Sequence, residues 1–324
     1  MDGRILVTGG AGYIGSHTAM MLRERGYEVV IYDNLSAGHD WASEGSELVI
    51  GDLNDRELLR KTMEDFGVDV VVHFAASINV GESVSDPAKY YHNNCVNGLN
   101  LLEAMNDAGV GKIVFSSSCA TYGVPTKIPI TEDEKQWPIN PYGWTKLFFE
   151  RMLFDFDTAY GMKSVCLRYF NAAGADPGSR IGEAHSPETH VIPILLDVAA
   201  GDRPGFTIFG DDYDTIDGTC IRDYVHVNDL ADAHVKAIDY LRSGGSSECF
   251  NLGTGEGASI RDLIIQVQKV TGKYITVTVG PRREGDPAKL VADNSKAERI
   301  LGWKPQCSDL GNIVRTAWNW RCSR

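Results

Sequence analysis

Arg4-Ile-Leu-Val-Thr8-Gly9-Gly10-Ala-Gly12-Tyr13-Ile14-Gly15-Ser16 is the stretch that decides the fold. Its apolar opening reads as a buried parallel strand, and the apolar periodicity after the glycines predicts a helix to about Arg25. Gly9, Gly12 and Gly15 meet three needs: a tight turn, close approach of backbone to a pyrophosphate, and close contact of helix with strand. The pyrophosphate would sit at the helix start, where free N–H groups and the helix dipole favour an anion. A second apolar strand, Val29-Val-Ile-Tyr32, ends in Asp33-Asn34. A carboxylate there accepts hydrogen bonds from ribose hydroxyls and repels a 2′-phosphate, so the pattern favours NAD over NADP.

Outward from this unit, strands and helices alternate. Strands are expected near 48–51, 70–74, 112–115 and 164–169, with helices near 56–66, 90–108 and 142–159. That order predicts an α/β fold with a doubly wound parallel sheet of Rossmann type. From about Asn171 the pattern loosens into Gly/Pro/Asp-rich loops, with helices expected near 190–200, 227–242, 260–271 and 310–320. Ser295-Lys-Ala-Glu298 reads as a capping box opening a short helix that ends near Gly302. The chain shows no repeat, low-complexity segment or linker.

Two further segments carry chemistry. In Asn140-Pro-Tyr142-Gly-Trp-Thr-Lys146, Asn140 suits an N-cap and Pro141 the first helical position. Tyr142 and Lys146 are four apart and share a helix face. An ammonium neighbour and the positive helix end would lower the Tyr142 pKa, so that it takes a proton from an alcohol or sugar hydroxyl. The competing reading is chance, since a chain with 13 tyrosines is expected to hold one such pair. In Lys112-Ile-Val-Phe115-Ser116-Ser-Ser118-Cys-Ala-Thr-Tyr122, an apolar strand delivers three serines to the carboxyl edge of the sheet, where open α/β folds bind ligands. A plain solvated serine turn would look the same.

Composition narrows the classes. At 324 residues the chain is long enough for one large domain or two unequal ones. With 43% hydrophobic and 23% charged residues it reads as an ordinary soluble enzyme. A net charge of −13 without a basic run argues against nucleic acid or an anionic membrane as partner. No apolar stretch approaches the roughly 20 residues that span a bilayer, and Met1-Asp-Gly-Arg4 does not read as a signal sequence. Seven scattered cysteines without metal-ligand spacing suit free thiols in a reducing compartment, so a cytoplasmic location is expected.

The glycine-rich, serine and tyrosine segments, in this order, resemble those of the extended short-chain dehydrogenase/reductase family, essentially end to end. Tyr169-Phe-Asn171-Ala-Ala-Gly174, Gly218-Thr-Cys-Ile-Arg222-Asp-Tyr224-Val-His226 and Pro281-Arg-Arg283-Glu-Gly-Asp286 resemble the signature segments of its UDP-glucose (UDP-galactose) 4-epimerases. The resemblance implies a catalytic set of Ser118, Tyr142 and Lys146. It implies a tightly held NAD against Gly9, Gly12, Tyr13, Ile14, Gly15, Asp33, Asn34, Asp52, Leu53, Phe74, Ala75, Ala76, Asn94 and Tyr169, with Asp52 at the adenine and Lys146 on the nicotinamide ribose. Asn94 has a rival reading, as an asparagine that only satisfies backbone groups. A UDP-sugar is implied against Ser118, Asn171, His190, Val191, Phe209, Arg222, Tyr224, Arg283, Asp286 and Leu290. Arg222 and Arg283 would clamp the diphosphate, Asp286 the uridine ribose, and Phe209 and Tyr224 would flank the base. His190 and His226 have structural readings too, and Cys119 and Cys166 read as packing residues.

The implied division is 1–170 for NAD, with a later contribution near 220–255, and 171–324 for the UDP-sugar. The implied assembly is a homodimer through the helices near 90–108 and 142–159. Ile78 stands where some epimerases have a cofactor-touching lysine. Family dehydratases carry an Asp-Glu pair where this chain has Cys119-Ala120, which removes the acid and base of elimination. Reversible oxidation at C4″ of a UDP-hexose is therefore the expected reaction. UDP-xylose/UDP-arabinose and UDP-N-acetylglucosamine remain as alternative substrates, and a dehydratase or a non-catalytic NAD-bound regulator as alternative classes.

Overall fold

The computed structural model describes residues 3–283 and 286–324. Met1, Asp2, Glu284 and Gly285 of the segments quoted above lie outside the described residues. Its centre is a seven-stranded sheet in which every neighbouring pair is parallel. The strand order is Glu248–Leu252, Lys163–Tyr169, Lys112–Ser116, Val68–His73, Arg4–Thr8, Val29–Asp33 and Glu47–Ile50. Ile5 and Val7 pack with Ile31, Val70, Val72 and Leu230 on one face, while Leu6 packs with Val30, Val71, Ile113 and Phe149 on the other. Successive side chains leave a strand on opposite faces, so these near-continuous aliphatic runs bury both. The doubly wound fold read from the sequence is the fold observed.

The strand order reverses beside Arg4–Thr8, whose neighbours are the second and the fourth strands in sequence. At such a switch point the two loops leaving the strands part and open a crevice at their carboxyl ends. There Phe74 and Ala75 donate their backbone N–H groups to Thr8 O at 2.9 and 3.1 Å.

Beyond residue 170 the backbone forms short pairs. Asn171–Ala173 pairs with Tyr224–His226, Phe206–Phe209 pairs with Val277–Gly280, and Ile221–Arg222 lies between Ala258–Ser259 and Lys289–Leu290. A separate core of Ile192, Leu195, Ile208, Tyr224, Leu263 and Ile313 supports them.

Two local expectations are corrected. The single helix expected near 90–108 is Pro87–Tyr90, a π-helical turn Tyr91–Val96, and then Asn97–Asp107. Within that turn Asn94 is buried and fully bonded: Oδ1 accepts from Ser77 N, and Nδ2 donates to Ser77 O and Thr145 Oγ1. Such turns recur at functional sites. Ser295 does not open a capping box. The Ser295–Leu301 helix starts after Asn294, and Ser295 N donates to Asp293 Oδ1, so an aspartate turn begins it one residue earlier. The capping box is at Ser259 and Asp262, before Ile260–Thr271.

Candidate active site

At the nucleotide end, Gly9 has a φ of +70°, and a Cβ built there would meet Ala75 N at 2.5 Å. A Cβ on Gly15 would lie 2.3 Å from Gly9 O, so helix and turn touch only because residue 15 is glycine. Gly12 faces open space apart from Gly9 O at 3.3 Å, which leaves its backbone approachable by a phosphate. Asp33 ends the second strand buried, its Oδ2 accepting from Ala11 N at 3.0 Å and Oδ1 from Leu35 N at 2.8 Å. One carboxylate thus ties the glycine turn to the strand that follows, and keeps lone pairs for a diol. Asn34 Nδ2 donates to Asp52 Oδ2 at 2.6 Å, joining two residues expected at the adenosine, and Leu53 is buried beside them. Tyr13 begins the Tyr13–Glu24 helix, with Ile14 next, and donates its hydroxyl to Gly174 O at 2.6 Å. These features suit a dinucleotide, and Phe74-Ala75-Ala76 follows the neighbouring strand, its Ala75 N close against Gly9. Ile78 is exposed, without a charge to offer.

The chemistry gathers where the Pro141–Tyr160 helix begins. Asn140 caps it, accepting from Gly143 N at 2.8 Å, with Pro141 at the first position as read from the sequence. The Ser118 side chain is near enough to Tyr142 to act on its hydroxyl, and its Oγ accepts from Ala120 N at 3.1 Å. Lys146 Nζ is buried, donates to Ser116 O at 2.7 Å, and lies 4.9 Å from the Phe115 ring centre and 5.8 Å from that of Tyr142. Tyr169 and Ser116 hydrogen-bond side chain to side chain.

The expected lowering of the Tyr142 pKa is overturned. Withdrawal from water pushes it above the ordinary tyrosine value and the neighbouring Tyr169 adds to the rise, while Ser118 opposes it. The ammonium that was to lower it sits on the Ser116 carbonyl, and burial brings Lys146 itself down to about 7, Glu150 opposing.

Sequence reading missed the scaffold below these groups. Arg168 holds Glu150 with two hydrogen bonds, Nε to Oε1 at 2.9 Å and Nη2 to Oε2 at 2.7 Å, both residues being buried. Ser117 donates to Glu150 Oε1 at 2.5 Å, and Arg168 Nη1 donates to the Tyr122 hydroxyl at 2.9 Å. The serine loop is thereby pinned to the helix bearing Tyr142 and Lys146. A signal existed: Glu150 lies one turn after Lys146, on the same helix face. Cys166 is buried and Cys119 half-buried; the neighbouring Cys249 and then burial push the Cys166 thiol up, and burial pushes Cys119 up to about 12. His226 is buried, bonded to Thr316 Oγ1 at 3.0 Å and to Asn228 N at 3.1 Å, as its structural reading required.

The residues expected at the sugar nucleotide gather beyond the serine loop. Arg222 Nη2 contacts Asp286 Oδ1 at 2.5 Å, so two of them pair with each other. The Arg283 guanidinium lies 4.1 Å from the Phe209 ring centre. Tyr224 is buried in the second core. Asn171 N donates to Asp223 O at 3.0 Å, and Asp223, also missed, accepts from Thr254, Gly255 and Ala292 N–H groups. That buried carboxylate fixes the junction between the strands Ile221–Arg222 and Tyr224–His226. Leu290 pairs in register with Arg222 and packs with Cys119 against Tyr122, Ile130, Phe170 and Ala292. His190 caps the Val191–Ala200 helix, and its Nδ1 lies 2.7 Å from Glu183 Oε1 and 3.1 Å from Glu188 Oε1.

A glycine crevice at a switch point, an acidic ribose acceptor and a Ser/Tyr/Lys set on the same edge define a nicotinamide-dinucleotide enzyme acting on hydroxyl groups. Residues 5–253 match the model of the NAD dependent epimerase/dehydratase family, and the chain belongs to that family. It is 52% identical over 323 residues, spanning 100% of this chain and 98% of the relative, to a UDP-glucose 4-epimerase of Rhizobium meliloti. Its fold matches a UDP-glucose 4-epimerase of Brucella ovis in complex with NAD, with TM-score 0.96, 51% identity and 98% of each chain covered. A UDP-glucose 4-epimerase of Bifidobacterium longum in complex with NAD+ and UDP matches with TM-score 0.94 and 38% identity, over 99% of this chain and 98% of that one.

Proposed function

We propose that this enzyme interconverts UDP-glucose and UDP-galactose by transient oxidation at C4″, with NAD held throughout. The observation that carries the reading is Lys146, buried on the Ser116 carbonyl at 2.7 Å with its Nζ 5.8 Å from the Tyr142 ring centre, with Cys119 and Ala120 where elimination would need an acid and a base. NAD would be held by the Gly9–Gly15 turn, Asp33, the Asn34–Asp52 pair and Lys146, and would supply the hydride acceptor and donor together with a positive charge.

This chain's residues do the rest. Tyr142, with Ser118 beside it, takes the proton of the 4″-hydroxyl and later returns it. Its raised pKa means that the phenolate needs positive charge nearby, and Lys146, close to half-protonated near pH 7, provides part of it. Glu150 and Arg168 keep the helix and the serine loop in register. Epimerisation requires hydride to return to the opposite sugar face, so the hexose must turn while the nucleotide stays fixed. Arg222, Arg283 and Asp286 are placed to grip UDP, where binding energy does not hinder that rotation.

We assign residues 1–170, with a return near 220–255, to the cofactor and 171–324 to the sugar nucleotide. We read the exposed Val96, Leu99, Phe148 and Phe154 on the helices near 90–108 and 142–159 as a homodimer face, and the location as cytoplasmic. The test is incubation with a panel of UDP-sugars and chromatographic resolution of the products. Interconversion of the glucose pair is expected. Release of water with a 4-keto-6-deoxy product would replace this reading by dehydration.

A further inference from the structure

Between the cofactor crevice and the Val191–Ala200 helix, Gly182-Glu183-Ala-His185-Ser-Pro-Glu188-Thr-His190 turns four ligand-type side chains onto one point. One ligand atom from each of Glu183, His185, Glu188 and His190 lies within 4.8 Å of all the others. His185 Nδ1 is 3.1 Å from Glu183 Oε1 and 3.8 Å from Glu188 Oε2; His190 Nδ1 is 2.7 Å from Glu183 Oε1 and 3.1 Å from Glu188 Oε1. Bonds of roughly 2.0–2.1 Å in a tetrahedral zinc site separate ligand atoms by about 3.3 Å. The four measured separations bracket that edge. The reaction proposed above uses neither Glu183, His185 nor Glu188.

From these four side chains we infer a site for one divalent transition-metal ion of the zinc class. Two imidazole nitrogens with two carboxylates select such an ion over magnesium or calcium, which prefer all-oxygen shells. Two carboxylates balance a charge of +2 once the ion has displaced the protons that His185 and His190 hold against Glu183 and Glu188. The ligands are held from behind. Glu183 O accepts from Trp320 Nε1 at 2.9 Å, and Glu188 Oε1 accepts from Thr189 N and His190 N at 2.8 Å each. His190 is fixed as the cap of a helix whose Ile194 N donates to its carbonyl at 3.1 Å. Access exists as well: a cavity of about 280 Å³, lined in part by Gly174, Glu183, His185, Glu188 and Trp320, opens onto the cluster. A bound ion would fasten this loop against the glycine-rich helix, because the His185 ring stands edge-on to Tyr13 at 6.3 Å.

The test uses the full-length chain freed of metal by chelator and then titrated with Co2+ and Zn2+. One ion per chain is expected, with the visible absorption of tetrahedral cobalt. A Glu183→Gln/His185→Gln pair should weaken Zn2+ binding tenfold or more, the scale of loss seen when metal-site residues are altered. Affinity unchanged by the pair, or no stoichiometric uptake, would overturn the site. The wild-type protein crystallised with Zn2+ gives a check independent of variant folding. An anomalous peak among the four side chains supports the site, and a map with zinc peaks only elsewhere, or none, refutes it.

Discussion

The two regions that meet at the active site are built by different physics. On the sheet side, Gly9, Asp33, Ser118, Tyr142 and Lys146 stand at the ends of regular elements, and buried aliphatic strands fix their positions. On the loop side, Arg222, Asp286, Arg283 and Phe209 lie on two- to four-residue strands or beside them, and hold one another: Arg222 to Asp286, Arg283 to Phe209. The sheet side stores its cost in desolvation, seen in a raised Tyr142 and a lowered Lys146. The loop side stores its charge in mutual pairs that a ligand must rearrange. Chemistry needs the first kind of rigidity, and accommodation of a turning sugar needs the second kind of freedom.

The sharpest way to break this division is Tyr142→Phe. Only a hydroxyl leaves, the helix cap at Asn140 is untouched, and the fold and retained NAD should survive. Turnover should fall by about two orders of magnitude or more, as expected when a general base is removed. Near-normal turnover would move the chemistry off the sheet side.

Lys146→Met tests the stored desolvation. Burial lowers this lysine from 10.5 to about 7, so between those values the unfolded chain binds a proton that the folded chain does not. Stability from this group therefore rises with pH from about 7 to 10.5, and below 7 the folded state bears the whole cost of a buried ammonium. Removing the amine should cut turnover by roughly 100-fold and raise stability near pH 7 by roughly 2–4 kcal/mol, with a flatter stability profile from pH 7 to 10. Chemical denaturation across that range measures both, and a variant less stable at pH 7 would mean that the Ser116 bond outweighs desolvation.

The same contrast explains what the sequence made legible. Near-continuous aliphatic runs and the glycine spacing are local signals, so the doubly wound parallel sheet followed from them. Asn140 and Pro141 marked a helix start whose side chains point as their spacing demands. The Tyr142 pKa did not follow, because its burial is set by the tertiary fold and Tyr169, which adds to the rise, arrives from a strand distant in sequence. The Glu150–Arg168 pair, 18 residues apart, and the Asp223 anchor, bonded to residues 31, 32 and 69 positions away, have no local signature beyond one helical spacing. The π-turn around Asn94 was read as plain helix for the same reason: Ser77 and Thr145 bend it from afar.

Arg222→Leu probes the loop side. It removes a guanidinium and leaves Asp286 without its ion-pair partner, so UDP-sugar should bind about 10- to 100-fold more weakly, on the scale of 1.5–3 kcal/mol for a charged hydrogen bond. The loss should appear in KM, with kcat within a few-fold of the parent, since uniform binding of ground and transition states is what disappears. A fall confined to kcat would instead place Arg222 in the chemical step, and the division between the two regions would fail.

The smallest effect belongs to Leu290, which lies between the two regions: it pairs in register with Arg222 and packs, as Cys119 does, against the small core around Phe170. Partly buried against that core, it can limit the volume open to the C2″ substituent without bonding to it. A tyrosine there adds a ring and a hydroxyl to a space bounded by Tyr122, Ile130 and Phe170, which are buried and cannot withdraw. Leu290→Tyr should therefore depress kcat/KM for the UDP-N-acetylglucosamine pair by about 1–3 kcal/mol and spare the glucose pair, as pocket sterics of one substituent allow. Parallel assays on the two pairs, with a melting curve to report packing, separate the possibilities. Equal losses accompanied by a lower Tm would assign Leu290 to the small core around Phe170, and substrate size would then have to be set by the loop-side pairs alone.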